Sequence, residues 1–241
     1  MDKDKLLVAF KEYVDRFDFN DNMIRMKYYH SLRVMSLALK IALSLKLDNN
    51  DVEVCEVAGL LHDYGRFEQW TKYHTFKDYE SIDHGDLAVS LLFENNDIEK
   101  YYDVKANYDE LFDAIKYHNK YRVSDEISKH NQTICDVIRD ADKIDIFEII
   151  VNKEVDIKIS EQQISPEVQK TFYQHKTINY KDCKNKNDEI LLYFAMLFEL
   201  KSDYAKKYIV DNHILDRLYD NIGSHSLFKE YYDYLKKYLT C

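Results

Sequence analysis

Glycine and proline are scarce in this chain of 241 residues, which contains four glycines and one proline. Together they make up about 2% of the sequence, whereas average usage is roughly 12%. A chain with so few turn-forming residues is poorly suited to sandwiches, barrels and collagen-like folds. With 46% hydrophobic and 32% charged residues it is also neither disordered nor embedded in a membrane. We therefore predict an all-α fold of long helices joined by polar loops.

Close cysteine pairs, long apolar runs and an excess of positive charge are also absent. The four cysteines lie far apart and indicate thiols in a reducing compartment. The longest apolar run, from Ile190 to Leu200, has 11 residues and is too short to span a bilayer. A formal net charge of −10 argues against an extended nucleic-acid surface. We expect a soluble cytoplasmic protein without a membrane partner or an extended nucleic-acid surface, and we predict no oligomeric state.

The spacing of apolar residues divides the chain into helices and two irregular stretches. We expect a first domain over residues 1–150 and a C-terminal helical portion over 151–241 packed on it, with one single domain as the alternative. Residues 64–80 show no period and predict a functional loop, while residues 155–160 (VDIKIS) alternate weakly and suggest a short strand. The predicted helices span residues 4–18, 22–47, 51–63, 82–96, 103–118, 131–150, 188–201, 203–211 and 226–239.

Six titratable side chains lie on the apolar faces of these predicted helices. His30, for example, shares a stripe with Val34 and Ile41 and should face the core. Taken singly, each is best explained by a hydrogen bond to a nearby backbone group. Six together are costly to bury unless a cation binds them, and imidazole and carboxylate are ordinary ligands of divalent metals. The six residues are His30, His62, Asp63, His84, His118 and Asp142.

The adjacent pair His62 and Asp63 is the most informative of these. Neighbouring helical side chains diverge by about 100°, so the pair cannot easily chelate one ion unless it lies at a helix end. An aspartate at such a place can instead bridge two ions. His84 falls in the first turn after Ser81, a good N-cap, where the positive helix terminus favours a neutral ring. Gly59, Gly65 and Gly85 lie near these ligands and predict close approaches between helices.

The order of these residues resembles the H…HD…D signature of the HD superfamily of metal-dependent phosphohydrolases. The segments KYYHSLRV (27–34), GLLHDYGRFEQ (59–69) and RDADKID (139–145) are similar to family segments, and the resemblance covers roughly residues 20–150. The additional histidines resemble the extra ligands of dinuclear members. HDYGRFEQ followed by YHTF is similar to a bacterial HD subgroup. The resemblance implies an all-α helical bundle, here with a C-terminal helical extension.

The resemblance also implies two divalent transition-metal ions that share Asp63, with His84 and His118 completing the second set. Iron or manganese is expected first, with nickel, cobalt, zinc and magnesium as alternatives. Many HD hydrolases have lysine where this chain has Arg66, and arginine suits phosphate binding better than proton donation. The implied ligands of the first ion are His30, His62, Asp63 and Asp142.

The resemblance and the ligand set imply hydrolysis of a phosphate ester by a water that bridges the two ions. Asp63 and Arg66 are the predicted catalytic residues, and the substrate is a small phosphorylated molecule, with nucleotides among the candidates. Asp145 is predicted to orient a metal ligand from behind. The residues predicted to bind the substrate are Arg66, Gln69, Lys27 and His74.

Three other functions remain open. Some HD-fold proteins with the same six ligands hold a mixed-valence di-iron pair and use oxygen to cleave a polyol or phosphonate. A non-catalytic HD module acting as a sensor is the second alternative. The third, a single-strand nuclease, is disfavoured by the acidic composition.

Overall fold

The computed structural model describes residues 2–94, 96–154 and 157–240. Within them no residue belongs to a strand, which confirms the predicted all-α fold. Short 3-10 turns connect several of the helices. The α-helices are α1 (Lys3–Val14), α2 (Asn22–Ser44), α3 (Asn49–Leu61), α4 (Tyr64–Tyr73), α5 (His84–Val89), α6 (Tyr108–Tyr117), α7 (Lys129–Val151), α8 (Pro166–Tyr173), α9 (Lys186–Ala195), α10 (Asp203–Asp211), α11 (Ile214–Asn221) and α12 (Lys229–Thr240).

The chain divides into two compact units, Met1–Ala141 and Asp142–Cys241. In the first unit α2 packs along α3, α4 packs on α2 and α5, and α6 contacts α3 and α5. In the second unit α9 contacts α8 and α12, and α11 contacts α10 and α12. The boundary near residue 150 and the role of residues 151–241 stay predictions.

Aspartates begin several helices of the first unit. The side chain of Asp21 accepts a hydrogen bond from the backbone N–H of Met23 at the start of α2. Asp48 caps α3 and Asp83 caps α5 in the same way. Such caps satisfy backbone donors that have no partner inside the helix. The N-cap of α5 is therefore Asp83, and the prediction that Ser81 caps it was wrong.

The expected loop over residues 64–80 is mostly helical, and this expectation was wrong. Helix α4 occupies Tyr64–Tyr73, and a 3-10 turn follows at Asp78–Glu80. Tyr64, Gly65 and Phe67 are buried, so the helix has an apolar face. That face is short and starts directly after His62 and Asp63, which hides its period in the sequence.

Other boundaries also differ from the prediction. The expected helix 82–96 is α5 followed by a π-helical turn at Ser90–Glu94, and the expected helix 103–118 is a 3-10 turn followed by α6. Helices α8 and α11 were not predicted. Residues 157–160 are not in a strand, and residues 155–156 of the suggested strand lie outside the described residues.

Glycines lie at the helix contacts nearest the predicted ligands. A Cβ atom on Gly59 would lie 3.0 Å from the Cα of Met35 in α2, and one on Gly65 would lie 2.5 Å from the carbonyl oxygen of His84 in α5. Gly85 lies at the contact between α5 and α6, where a Cβ atom would lie 2.9 Å from the carbonyl oxygen of Lys116. A side chain at these positions would push the helices apart, as the sequence predicted.

Long apolar helices of the kind that cross a bilayer are not found in the described part of the chain.

Candidate metal centre

His30 and His62 form the first of two histidine pairs. His30 projects from the buried face of α2, and His62 follows the last residue of α3. Their Nε2 atoms lie 3.1 Å apart, and both rings are buried. Two atoms bound to one metal at about 2.1 Å are separated by roughly this distance. The pair is therefore spaced as two ligands of one ion would be.

His84 and His118 form the second pair. His84 is the first residue of α5, and His118 follows the last residue of α6. Their Nε2 atoms lie 2.8 Å apart, and both rings are again buried. Four of the six side chains that the sequence singled out thus meet in two pairs within the first unit.

Asp63 lies between the two pairs and turns one oxygen to each. Its Oδ2 is 3.3 Å from Nε2 of His30, and its Oδ1 is 3.3 Å from Nε2 of His84. Oδ2 also faces His62 and Oδ1 also faces His118, at 3.6 and 3.7 Å. The two groups with metal-ligand spacing therefore share this carboxylate.

The local backbone explains why Asp63 is available for this role. Helix α3 ends at Leu61 and α4 begins at Tyr64, so His62 and Asp63 occupy the helix end that the sequence argument required. Asp63 stands at the N-cap of α4 but makes no capping hydrogen bond. Its carboxylate faces the histidines instead of the helix terminus.

The hydrogen bonds of the ring Nδ1 atoms indicate whether the Nε2 atoms of these histidines can bind a cation. Nδ1 of His62 lies 2.8 Å from the carbonyl oxygen of Gly59, and Nδ1 of His118 lies 2.7 Å from that of Ile115. A ring that donates from Nδ1 carries a lone pair on Nε2. In the second pair Nδ1 of His84 also faces an acceptor, the carboxylate of Asp78, so the two Nε2 lone pairs face each other. Facing lone pairs repel unless a cation lies between them, so this donor set fits a metal ion.

The pKa values of the site support neutral imidazole beside ionised carboxylate. Burial alone would raise the pKa of Asp63, yet the charge of Lys27 and the neighbouring histidines hold it well below its ordinary value. Burial lowers the pKa of His84 to about 3, and the charge of Arg66 acts in the same direction. Both shifts favour the protonation states that bind metals.

Two cations flank Asp63. Nζ of Lys27 lies 2.7 Å from Oδ2, and Nε of Arg66 lies 3.5 Å from Oδ1. Nζ of Lys27 and Cζ of Arg66 also lie over the ring of Phe76, at 5.2 and 5.4 Å from its centroid. The aromatic ring therefore supports two positive charges beside the carboxylate.

Arg66 is anchored through one nitrogen only. Its Nη1 donates to Oε1 of Gln69, to the carbonyl oxygen of Phe76 and to Oδ1 of Asp78. Its Nε is buried without a hydrogen bond, and Nη2 donates none to the residues that the structure describes. The Nε–Nη2 edge, which can hold an oxyanion through two parallel bonds, is thus the unused side of the guanidinium.

Asp78 is a residue of the candidate site that the sequence argument missed. Its carboxylate lies 2.7 Å from Nδ1 of His84 and also accepts from Arg66. Burial would raise its pKa, but the hydrogen bond and charge of His84, together with Arg66, hold the pKa below its ordinary value. Its spacing of six residues before His84 follows no helical period, so only the aspartate itself was a signal.

Arg139 is a second missed residue. Its Nη1 donates to the backbone carbonyls of Tyr117, His118 and Lys120 at 2.7 to 3.1 Å. These bonds tie one side chain to the last carbonyl of α6 and to two carbonyls of the turn that follows it. Arg139 therefore fixes the turn that carries His118.

The remaining predicted residues lie in varied places. Gln69 is fully buried, and its amide donates to Asp78, Ser81 and the carbonyl of Ile82. His74 is exposed at the end of α4. Four other histidines are exposed elsewhere in the chain: His130, His175, His213 and His225.

Two predicted residues belong to the second unit. Asp142, its first residue, is half-buried, and Asp145 is buried. Lys143 between them is buried and pairs with Glu199 at 3.2 Å. The roles of Asp142 as a ligand, of Asp145 behind the ligands, and of Gln69 and His74 toward the substrate stay predictions.

Residues 28–186, more than half of the chain, match the family model of the HD domain. The match includes both histidine pairs and Asp63. No curated protein and no solved structure matches the chain.

Proposed function

The chain belongs to the HD domain family, and on that premise we propose that it is a metal-dependent phosphohydrolase acting on a phosphate ester of a small molecule or nucleotide. The family consists largely of metal-dependent hydrolases. The observation that carries the proposal is Asp63, whose two oxygens face two different histidine pairs. We propose that the pairs hold two divalent ions and that Asp63 bridges them, with Asp142 as a predicted further ligand of the first.

Divalent ions held there would lower the pKa of a water molecule and neutralise the charge of a phosphoryl group. The protein's own residues bind and orient the substrate. Nε of Arg66 makes no hydrogen bond and lies 3.5 Å from Oδ1 of Asp63. The parallel N–H groups on the Nε–Nη2 edge of a guanidinium can hold two oxygens of one phosphate. Since Asp78 holds Nη1, the guanidinium is fixed before the substrate arrives.

Lys27 adds a second positive charge on the other side of Asp63. Its ammonium group donates to the carboxylate and can turn to a phosphate oxygen, because its side chain is flexible. Together Lys27 and Arg66 favour an anionic substrate over a neutral polyol. They are the part of the site that supports phosphate-ester chemistry over oxygenation of a polyol.

The test is a screen of nucleotides and sugar phosphates with Mn²⁺ and Fe²⁺ supplied in turn to metal-free protein, with orthophosphate release as the readout. We expect turnover in the wild type and none above background in Asp63→Asn, which should also lose one ion in metal analysis. Asp103→Asn, a matched change at an exposed residue, should behave as wild type.

Three other results would count against this proposal. Retained turnover in Asp63→Asn would overturn the assignment of Asp63. Oxygen consumption without orthophosphate release would favour the oxygenase alternative. Protein that neither binds metal nor releases orthophosphate would favour the sensor.

A further inference from the structure

Asp78 joins the two functional parts of the site, the second histidine pair and the phosphate-binding arginine. We propose that it is a positioning residue that orients His84 for the second metal ion and Arg66 for the substrate phosphate. One carboxylate then sets the orientation of both side chains. This inference rests on the proposed function. It assigns the orientation of both side chains to one half-buried carboxylate.

The contact with His84 fixes the ring. Nδ1 of His84 lies 2.7 Å from Oδ2 and 2.9 Å from Oδ1 of Asp78, so the carboxylate receives the Nδ1 proton. Nε2 is then the ring nitrogen that carries the lone pair, and it points at His118 and Asp63. A carboxylate behind a metal-binding imidazole sets the tautomer and the ring orientation in this way.

The contact with Arg66 fixes the guanidinium. Nη1 of Arg66 lies 3.0 Å from Oδ1 of Asp78, which leaves the Nε–Nη2 edge turned away from the anchor. Nε lies 3.5 Å from Asp63. The same Asp78 oxygen therefore contacts both the ring that faces the second ion and the side chain that faces the phosphate.

The surroundings of Asp78 demand a carboxylate. Gln69 donates to Oδ1 at 2.9 Å, and Asn119 donates to Oδ2 at 3.0 Å. With His84 and Arg66, these partners present only donors to both oxygens. An asparagine at this position would turn its NH₂ group toward neighbours that are themselves hydrogen-bond donors. The change Asp78→Asn therefore disrupts these hydrogen bonds with little change in side-chain volume.

A titration of metal-free protein with Mn²⁺ is the first test. In Asp78→Asn we expect the ion at the first histidine pair to bind as in wild type. The ion at the second pair, which contains His84, should bind about 10–100-fold more weakly, the usual cost of removing a hydrogen-bond partner of a metal ligand. Glu80→Gln removes one negative charge from the same segment at an exposed residue and should match wild type. Equal loss of both ions would indicate general damage and would overturn the positioning role.

Orthophosphate affinity at saturating Mn²⁺ tests the second half of the proposal. We expect Asp78→Asn to weaken phosphate binding in the wild-type background and to have no further effect in Arg66→Gln, because Asp78 acts on phosphate through Arg66. Independent, additive losses in the two variants would contradict that coupling.

The outcomes separate this inference from the proposed function. Wild-type protein that binds fewer than two ions overturns the dinuclear proposal itself. Two ions in wild type with unchanged affinities in Asp78→Asn overturns the inference alone. If Asp78→Asn does not fold, nitrogen-15 NMR of wild-type metal-free protein decides: a proton on Nδ1 of His84 supports the proposal, and a proton on Nε2 overturns it.

Discussion

The two histidine pairs of the candidate metal centre are held by different means. His30 lies within α2, a helix of 23 residues, and His62 follows the last residue of the 13-residue α3. His84 instead opens α5, which has six residues, and His118 follows the ten-residue α6. The first pair projects from two long helices that pack along each other. The second pair depends on side-chain anchors, Asp78 behind His84 and Arg139 behind His118.

Short helices are stabilised by tertiary contacts more than by their own hydrogen bonds. We therefore expect the second pair to be the weaker and more easily disturbed half of the candidate metal centre, and its ion to be the first to be lost.

Removing one histidine from each pair should have the largest effect. We expect His30→Ala and His118→Ala each to retain one ion per chain and to lose turnover by more than about 100-fold, the upper range for loss of a mere outer partner. Metal analysis and orthophosphate release are the measurements, with the exposed His225→Ala as control. A variant that loses both ions would show that the halves are not independent.

Adding a methyl group at the glycine contacts should separate the halves by stability. Gly65→Ala brings a Cβ to 2.5 Å from a backbone oxygen of α5, whereas Gly59→Ala meets its nearest atom at 3.0 Å. We expect Gly65→Ala to lower the free energy of unfolding by about 2–3 kcal/mol and Gly59→Ala by less, since overpacking costs about 1–3 kcal/mol.

Urea denaturation of the metal-free variants measures both values. Gly65→Ala should also weaken the second ion, because the crowded oxygen belongs to His84. A larger cost for Gly59→Ala would reverse the comparison.

Loss of the anchor behind His118 should be milder. Arg139→Ala leaves three backbone carbonyls at the end of α6 without this donor, and we expect the second ion to bind about 10-fold more weakly, the lower range for such partners. Mn²⁺ titration is the measurement. Arg122→Ala removes an arginine whose side chain is exposed, and it should leave both affinities unchanged. Equal weakening of both ions in Arg139→Ala would count against a local role.

The pH dependence of stability should also report on the second pair, through His84. Because the pKa of His84 falls from 6.5 to about 3 in the folded protein, the unfolded chain binds its proton first as pH falls. The resulting stability is fully present above pH 6.5 and is lost as pH falls toward 3. Between pH 7 and pH 5 we expect metal-free protein to lose about 1–2 kcal/mol from this group.

Denaturation curves at the two pH values test this expectation. His84→Gln should show a smaller loss on acidification than wild type, and the exposed His225→Gln should show the wild-type loss. Equal losses in His84→Gln and wild type would mean that His84 does not hold this depressed pKa.

The first histidine pair was predictable from the sequence and the anchors of the second were not. His30 lies in a regular stripe with Val34 and Ile41, and the position of His62 beside Asp63 predicted a helix end, as the structure has it. Asp78 contacts His84 across a loop, and such a hydrogen bond leaves no period. Arg139 reaches a turn more than eighteen residues away in sequence, which only the tertiary fold brings close.

Helix boundaries followed the same division. The long α2 and α3 were predicted to within a few residues, because many buried positions repeat along them. Helix α4 was mistaken for a loop, because its few buried residues adjoin the break at Asp63. Helices α8 and α11, of eight residues each, were missed because two turns give too little pattern to recognise.

We propose that Asp63 joins the two histidine pairs into one two-metal centre. Electron paramagnetic resonance of the Mn²⁺-loaded wild-type protein, combined with metal analysis, measures whether two bound ions share this carboxylate. We predict two Mn²⁺ ions per chain with the spectrum of a magnetically coupled pair, and a single uncoupled ion in Asp63→Asn. One ion per chain in the wild type, or two ions without coupling, would contradict the account.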